Sequence, residues 1–295
     1  MLWFKKQPDS AVAESEPDLI VPAHLSVPLD AGQFQQRYSA LKHNAEEDGG
    51  IEAFLTSLEA KHQLFELLLK PEAIDQLTLE GVEALLETVF SARRRVYYVF
   101  IAMGTESTVA AIKDLLYGKD PLQERMTRFS ELVAVDDAAD KETRKATAKN
   151  RRAVFDFGAE LLHFNDPLKY PLMTRWVWDQ NTVSGALREF IRGNDSMPAV
   201  PLGGSPETYE GARIWLAEQL AEQGLYKDVH YWIDLVLAQA YSEYFRSMAE
   251  GMLSADFGRA SGPADYVKKF LGIDAPAKVG LSRVKRDFES SSGSV

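Results

Sequence analysis

Cysteine is absent from this chain of 295 residues. Its absence excludes disulfide bonds, thiol catalysis and zinc or iron–sulfur sites that depend on cysteine ligands. Histidine is scarce, with five residues in all, so a metal ion would need carboxylates among its ligands. Long apolar runs are also missing, since no stretch approaches the roughly 18 residues of a membrane span. The sequence therefore predicts no membrane span, and the cytoplasm is the simplest compartment for it.

Basic residues are also fewer than acidic ones. The chain has 33 Lys and Arg against 44 Asp and Glu, which gives a net charge of −11 and a pI near 5.1. General binding to nucleic acid or to an anionic membrane rests on a positive field. The overall charge disfavours both, although a local basic patch could still act against it.

The hydrophobic pattern indicates helices. No alternation of strands and helices and no repeat of 20 to 50 residues is visible. Apolar side chains instead recur at helical spacing, as in residues 51–70, which end before Pro71. Thr78 and Asp140 are suited to cap helices that begin after them, the second covering residues 141–164. We expect an all-α fold, an irregular multi-helix bundle with a flexible N-terminal arm and a C-terminal tail.

Composition divides the chain into three parts. Residues 1–30 are acidic and rich in proline, which predicts a flexible arm whose apolar segments can lie extended across the domain, and its Leu2-Trp3-Phe4 can anchor a partner. Residues 31–261 form the helical domain, with a candidate subdomain break in the Pro/Gly loop at 194–205. Residues 262–295 are predicted to form a peripheral short helix followed by a tail.

The densest apolar material lies in residues 151–192. Its first part predicts an inner helix that is buried on most sides and ends at Asn165-Asp166-Pro167. The following residues 172–179 fit a strand or a helix equally well. They contain Arg175, Trp176 and Trp178, an aromatic and arginine cluster of the kind enriched at interface hot spots, although packing in the core is the favoured interpretation.

Two Glu-x-x-His motifs carry the clearest chemistry, Glu59-Ala60-Lys61-His62 and Glu160-Leu161-Leu162-His163. Three-residue spacing puts acid and imidazole on one helix face, as in di-iron and di-manganese bundles that add a Glu from each of two further helices. Glu87 and Glu243 could be those partners. The candidate metal ligands are therefore Glu59, His62, Glu160 and His163. Otherwise the imidazoles are hydrogen-bonded, partly buried side chains.

A basic segment opens the helix predicted at 141–164. Residues 141–152 hold six basic side chains against one acid. Cations near a helix N-terminus are disfavoured by the helix dipole, which suggests that they have a role. They could clamp an acidic protein or a phosphate, but they lack the interleaved aromatics of a single-strand binder. A solvated face balanced by Asp136, Asp137 and Asp140 is the favoured interpretation of this segment.

Three functions follow from these patterns. The preferred one is a non-catalytic accessory, adaptor or assembly protein that binds a macromolecular partner, most simply another protein. The second is a carboxylate-bridged di-iron or di-manganese oxidoreductase that uses the two Glu-x-x-His motifs. The third is nucleic-acid or phosphate binding through residues 141–152. The predicted binding residues are Lys141, Arg144, Lys145, Lys149, Arg152, Arg175, Trp176 and Trp178.

Overall fold

The computed structural model describes residues 19–136, 138–193, 199–251, 262–274 and 282–286. Over these residues the chain is all-α, as the sequence predicts, with only two isolated β-bridges. The helices are α1 (Ala31–Ala45), α2 (Ile51–Leu69), α3 (Leu79–Glu87), α4 (Tyr97–Tyr117), α5 (Leu122–Ser130), α6 (Lys141–Asn165), α7 (Pro206–Glu222), α8 (Val229–Gly251) and α9 (Pro263–Leu271). None of the described helices is both long enough and apolar enough to cross a membrane.

Local side-chain chemistry sets several helix starts. The Asp140 carboxylate accepts a hydrogen bond from the Thr143 amide at 2.9 Å, and Thr78 Oγ1 accepts one from the Gly81 amide at 3.2 Å. Both caps are those that the sequence predicts. α3 ends at Glu87, and α4 is kinked where Gly104 adopts φ 76°.

The second half of α6 is the central element of the core. It contacts α2, α4 and α5, and its residues from Ala153 onwards are almost all buried, which confirms the predicted inner helix. The Phe157 ring lies 5.5 Å from the Phe100 ring and 6.4 Å from the Phe129 ring. Aromatic pairs at these separations add to the stability that burial itself provides.

The segment after α6 forms neither a strand nor an α-helix. Residues 166–185 form turns and irregular backbone. A 3₁₀ helix, Ala186–Phe190, comes next. Trp176 is 8% exposed and Trp178 1%, and the Trp176 ring stacks on Phe270 at 6.2 Å. Both large apolar rings are covered by the chain's own core, which agrees with the favoured interpretation of these two tryptophans and corrects the interface role that was its alternative.

The two ends of the described chain are more tightly held than their composition predicts. The Ala23 amide donates to the Glu207 carbonyl at 2.8 Å, and Val27 is buried, so the second half of the arm lies extended on the body. α9 packs against α8 with five buried residues, so this helix is a core element rather than a peripheral one. The anchor predicted at Leu2-Trp3-Phe4 lies outside the described residues.

Gly272 at the end of α9 provides a test of this packing. Its φ is +67°, and a Cβ there would lie 1.6 Å from the Thr88 carbonyl oxygen. Gly224 has a similar φ of +78° with nothing within 4 Å of its Cβ position, so it is a matched control. We expect Gly224→Ala to lower the free energy of unfolding by about 1 kcal/mol and Gly272→Ala by about 3 kcal/mol or more, since the latter adds a clash to backbone strain. Urea unfolding measures both, and equal losses would contradict the docking of α9.

Candidate functional site

A buried ion pair lies between α2 and α6. Lys61 Nζ donates to Glu160 Oε2 at 2.6 Å, to the Thr88 carbonyl at 2.9 Å and to the Leu271 carbonyl at 2.8 Å. The side chains of Lys61 and Glu160 are each 2% exposed. The ammonium group thus uses all three of its donors. This saturation indicates a structural role for Lys61.

Burial dominates the electrostatics of this pair. It lowers the pKa of Lys61, while the negative charge of Glu160 acts in the opposite direction. It also raises the pKa of Glu160 to about 7, although the Lys61 ammonium acts to lower it. Both shifts reflect the free-energy cost of removing charge from water. Each of the two charges is therefore tolerated in the core only while its partner is present.

His163, at the end of the second motif, has both ring nitrogens engaged. Nδ1 lies 2.8 Å from the Tyr170 carbonyl oxygen, and Nε2 lies 2.8 Å from Asp234 Oδ2. A carbonyl oxygen only accepts, so Nδ1 must carry a proton and donate it. Nε2 forms the second hydrogen bond of the ring, with the Asp234 carboxyl group. The side chains of His163 and Asp234 are each 2% exposed. In this arrangement the ring has no free lone pair for a metal ion.

The first motif has separate partners. His62 Nδ1 lies 2.8 Å from the Phe164 carbonyl and donates to it, and Glu59 accepts from the Tyr231 hydroxyl at 2.8 Å. α2 and α6 do contact each other, but the four candidate ligands do not converge on one point. Among the described residues no group of three or more histidines and carboxylates could hold a metal ion. The geometry gives the di-iron or di-manganese hypothesis no ligand cage in this part of the chain.

Glu87 and Glu243, the candidate partners of the two motifs, also form hydrogen bonds elsewhere. Glu87 accepts from the Arg283 guanidinium at 3.0 Å, and Glu243 accepts from the Gln239 side chain at 2.8 Å. Neither joins the Glu-x-x-His motifs. Glu87 instead fastens residues 282–286 to the end of α3, a contact that sequence patterns do not show.

A cleft opens beside the His163–Asp234 pair, with an empty volume of about 340 Å³ that includes space open to solvent. Its polar lining comprises His163, Tyr209, Arg213, His230 and Asp234, and the rest of its wall is apolar. His230 and Asp234 are one helical turn apart on α8, a His-x-x-x-Asp spacing that is the only signal by which the sequence could have indicated this site.

His230 is the titratable group of the cleft that has no fixed partner. Its ring makes no hydrogen bond within the described residues, and its nearest ring neighbour is Tyr231, at 4.0 Å between centroids. Burial lowers the pKa of His230 from its ordinary value of 6.5, with Asp234 and Asp228 raising it and His163 and His62 lowering it further. The imidazole is consequently neutral near pH 7, with one donor and one acceptor nitrogen.

Arg175, which the sequence places among the binding residues, pairs within the protein. Its amide and its Nη2 donate to the two oxygens of the buried Asp156 carboxylate, at 2.9 and 2.7 Å. The side chain is 31% exposed. Arg175 therefore orients the segment that follows α6 by pairing with the buried Asp156 of that helix.

The basic half of α6 extends away from the core. Asn150 is the first buried residue of the helix, and residues 141–149 are exposed or partly buried. Arg151 pairs with Glu131 at 3.4 Å. The remaining five cations are exposed and have no ion pair within the described part of the chain: Lys141, Arg144, Lys145, Lys149 and Arg152. Arg144 forms no ion pair with Asp140, although its charge helps to lower the pKa of that carboxyl group, and Asp137 lies outside the described residues.

Comparisons with known proteins give no match to any family model, curated protein or solved structure. The geometry of the chain's own residues is therefore the basis for every functional inference.

The buried pair predicts a large effect for Lys61→Met. This change leaves Glu160 in the core without its partner, so we expect the free energy of unfolding to fall by about 3–5 kcal/mol. The double variant Lys61→Met/Glu160→Met removes both charges and should recover much of that loss. Lys113→Met is the control, because Lys113 forms an exposed pair with Asp75 at 2.7 Å and its loss should stay below about 1 kcal/mol. Denaturant unfolding compares the three, and similar losses for Lys61→Met and Lys113→Met would contradict the structural role.

The cleft predicts a pH dependence of stability. Because the pKa of His230 is lower in the folded protein than its ordinary value of 6.5, the unfolded chain binds the proton more readily as the pH falls below 6.5. His230 therefore makes the free energy of unfolding decrease with falling pH in that window. His230→Leu should reduce this slope in denaturant unfolding measured between about pH 5 and 7. His43→Leu, at an exposed ring, is the control, and identical slopes in the two variants would contradict the prediction.

Proposed function

We propose that the protein is a non-catalytic accessory, adaptor or assembly factor that captures an acidic protein partner through the first half of α6. The observation that carries this proposal is the set of five exposed cations without ion pairs on a helix segment that leaves the core. A helix that packs against nothing on most sides gains little stability from tertiary contacts. A partner that covers it would supply them.

Electrostatics supports an anionic partner. The five cations are concentrated near a helix N-terminus, where the helix dipole disfavours positive charge, within a chain of net charge −11. Negative groups on a partner would relieve both the repulsion among the cations and the unfavourable dipole interaction. Because each exposed pair contributes only about 0.2–1 kcal/mol, we expect the cluster to set orientation and association rate more than affinity.

An acidic protein fits this surface better than a nucleic acid. Residues 141–152 contain no aromatic side chain on which a base could stack. Asp136, Asp140 and Glu142 lie within or beside the basic segment and would repel a continuous phosphate backbone. Protein partners tolerate such interspersed charge, since they can place their own cations opposite. Nucleic-acid binding remains the second candidate and is an outcome of the test below.

The defining experiment is fluorescence anisotropy with three labelled probes of similar length: a glutamate-rich peptide, single-stranded DNA and duplex DNA. We expect the peptide to bind and Lys145→Glu/Lys149→Glu to weaken it by about tenfold or more, since two attractive charges become repulsive. Lys119→Glu/Lys227→Glu makes the same change in net charge at exposed sites outside the basic segment 141–152 and should have a much smaller effect.

Two results would count against the proposal. Equal weakening by both double variants would show that net charge, rather than the α6 surface, is responsible. Tighter binding of either DNA than of the peptide, with a steep loss on adding salt, would favour the nucleic-acid alternative.

A further inference from the structure

We propose that the basic half of α6 binds an acidic α-helix, which lies along it and carries carboxylates every three or four residues on one face. Such a partner is a narrower case of the acidic protein in the proposed function, on which this inference rests. An acidic partner of any other shape would leave the proposed function intact and contradict the inference.

The cations of this segment lie on one side of the helix. At about 3.6 residues per turn, the five exposed cations fall within about 140° of the helix circumference. With a rise of about 1.5 Å per residue, the surface they form is about 16 Å long, and we call it the basic stripe. Four-residue spacing arranges it in two rows: Lys141, Lys145 and Lys149 in one, and Arg144, Ala148 and Arg152 in the other.

The side of α6 that packs on the body lies opposite the basic stripe. Asn150 and Ala153 are buried, and Ala146 and Thr147 are partly buried. The Asn150 side chain donates to the Tyr98 hydroxyl at 3.0 Å. On average these four positions of α6 lie about 150° around the helix from the cations. The basic stripe therefore faces away from the packed side, and its cations are open to a partner.

The shape of the basic stripe suits another helix. Helices pack when a row of side chains on one enters the groove between two rows on the other. The two rows of the stripe border such a groove, and the exposed Ala148 leaves a gap between Arg144 and Arg152. A helix can approach closely at this gap, with its own row of side chains set between cations on both sides.

Backbone hydrogen bonding favours a helix over an extended segment. An extended peptide gains affinity by pairing its backbone with the edge of a sheet, which a helix such as α6 does not offer. A helical partner satisfies its own backbone groups. Its four-residue repeat advances about 6 Å, the same distance as the repeat within each row of the stripe. Several carboxylates can therefore meet cations at the same time.

Charge determines which helix fits. Glu142 is the one acid among residues 141–152, and it lies at the edge of the basic stripe. A second copy of this chain that presents the same stripe would be repelled, because both surfaces are basic. An uncharged helix would leave the cations without counter-charges. A row of Glu or Asp side chains complements the stripe.

The test is fluorescence anisotropy of the full chain with three labelled peptides of about 16 residues that carry the same number of glutamates. The first has them at every fourth position in an alanine and glutamine background. The second distributes them around the helix, and the third is the first with a central proline. We expect the first to bind about tenfold more tightly than the other two, since misplaced acids or a broken helix lose pairs with the stripe. Circular dichroism should show that the first peptide gains helix on binding.

Ala148→Phe tests the close approach without any change of charge. It fills the gap between the two rows, so we expect it to weaken the first peptide by about fivefold or more. Ala60→Phe is the matched control, because Ala60 is an exposed alanine on another helix, α2, and its replacement should leave the affinity unchanged.

A charge exchange tests the alignment independently of Ala148. Lys145→Glu/Lys149→Glu should weaken the first peptide, and a version of that peptide with its two central glutamates changed to lysine should recover much of the loss. The same lysine peptide should bind the unchanged protein poorly.

Three results would overturn the inference. Equal affinities for the three peptides, each weakened by Lys145→Glu/Lys149→Glu, would leave the capture of an acidic partner intact and remove the helix. Equal effects of Ala148→Phe and Ala60→Phe would contradict the close approach. Absence of binding by all three peptides would remove the proposed function together with the inference.

Discussion

The ammonium group of Lys61 joins four parts of the chain at one buried point. From α2 it reaches the Glu160 carboxylate on α6, the Thr88 carbonyl after α3 and the Leu271 carbonyl at the end of α9. It also lies 3.9 Å from the centre of the Phe164 ring. A desolvated charge tolerates such a position only when all of its donors are satisfied, so the placement of each of these elements constrains the others.

The contact between Lys61 and Glu160 helps to fix the position of α6. Its second half is held between α2 and the aromatic core, which fixes His163 against Tyr170 and Asp234 and so forms one end of the cleft. Residues 141–149 are exposed or only partly buried and continue the same helix towards solvent with their cations exposed. One rigid helix therefore supports two surfaces of opposite character, an apolar cleft and a basic projection.

Helical periodicity was sufficient to predict the fold class and several helix ends. The Thr78 and Asp140 caps and the inner helix up to Asn165 depend on interactions within a few residues, which local sequence contains. The Glu-x-x-His motifs show the limit of this reasoning. Their spacing placed acid and imidazole on one helix face, but the two motifs meet through Lys61 and Glu160. Their other partners are Tyr231, Asp234 and two carbonyl groups.

The sequence by itself determined the absence of cysteine chemistry, the helical architecture and the position of the basic segment on α6. All of these are properties of composition or of neighbouring residues. The tertiary structure decided between core and interface for Trp176 and Trp178. It alone showed that α9 and residues 282–286 are fastened to the body and that His230 faces a cleft beside His163 and Asp234. These depend on pairs separated by tens to hundreds of residues, whose contacts form only when the whole chain buries its apolar surface.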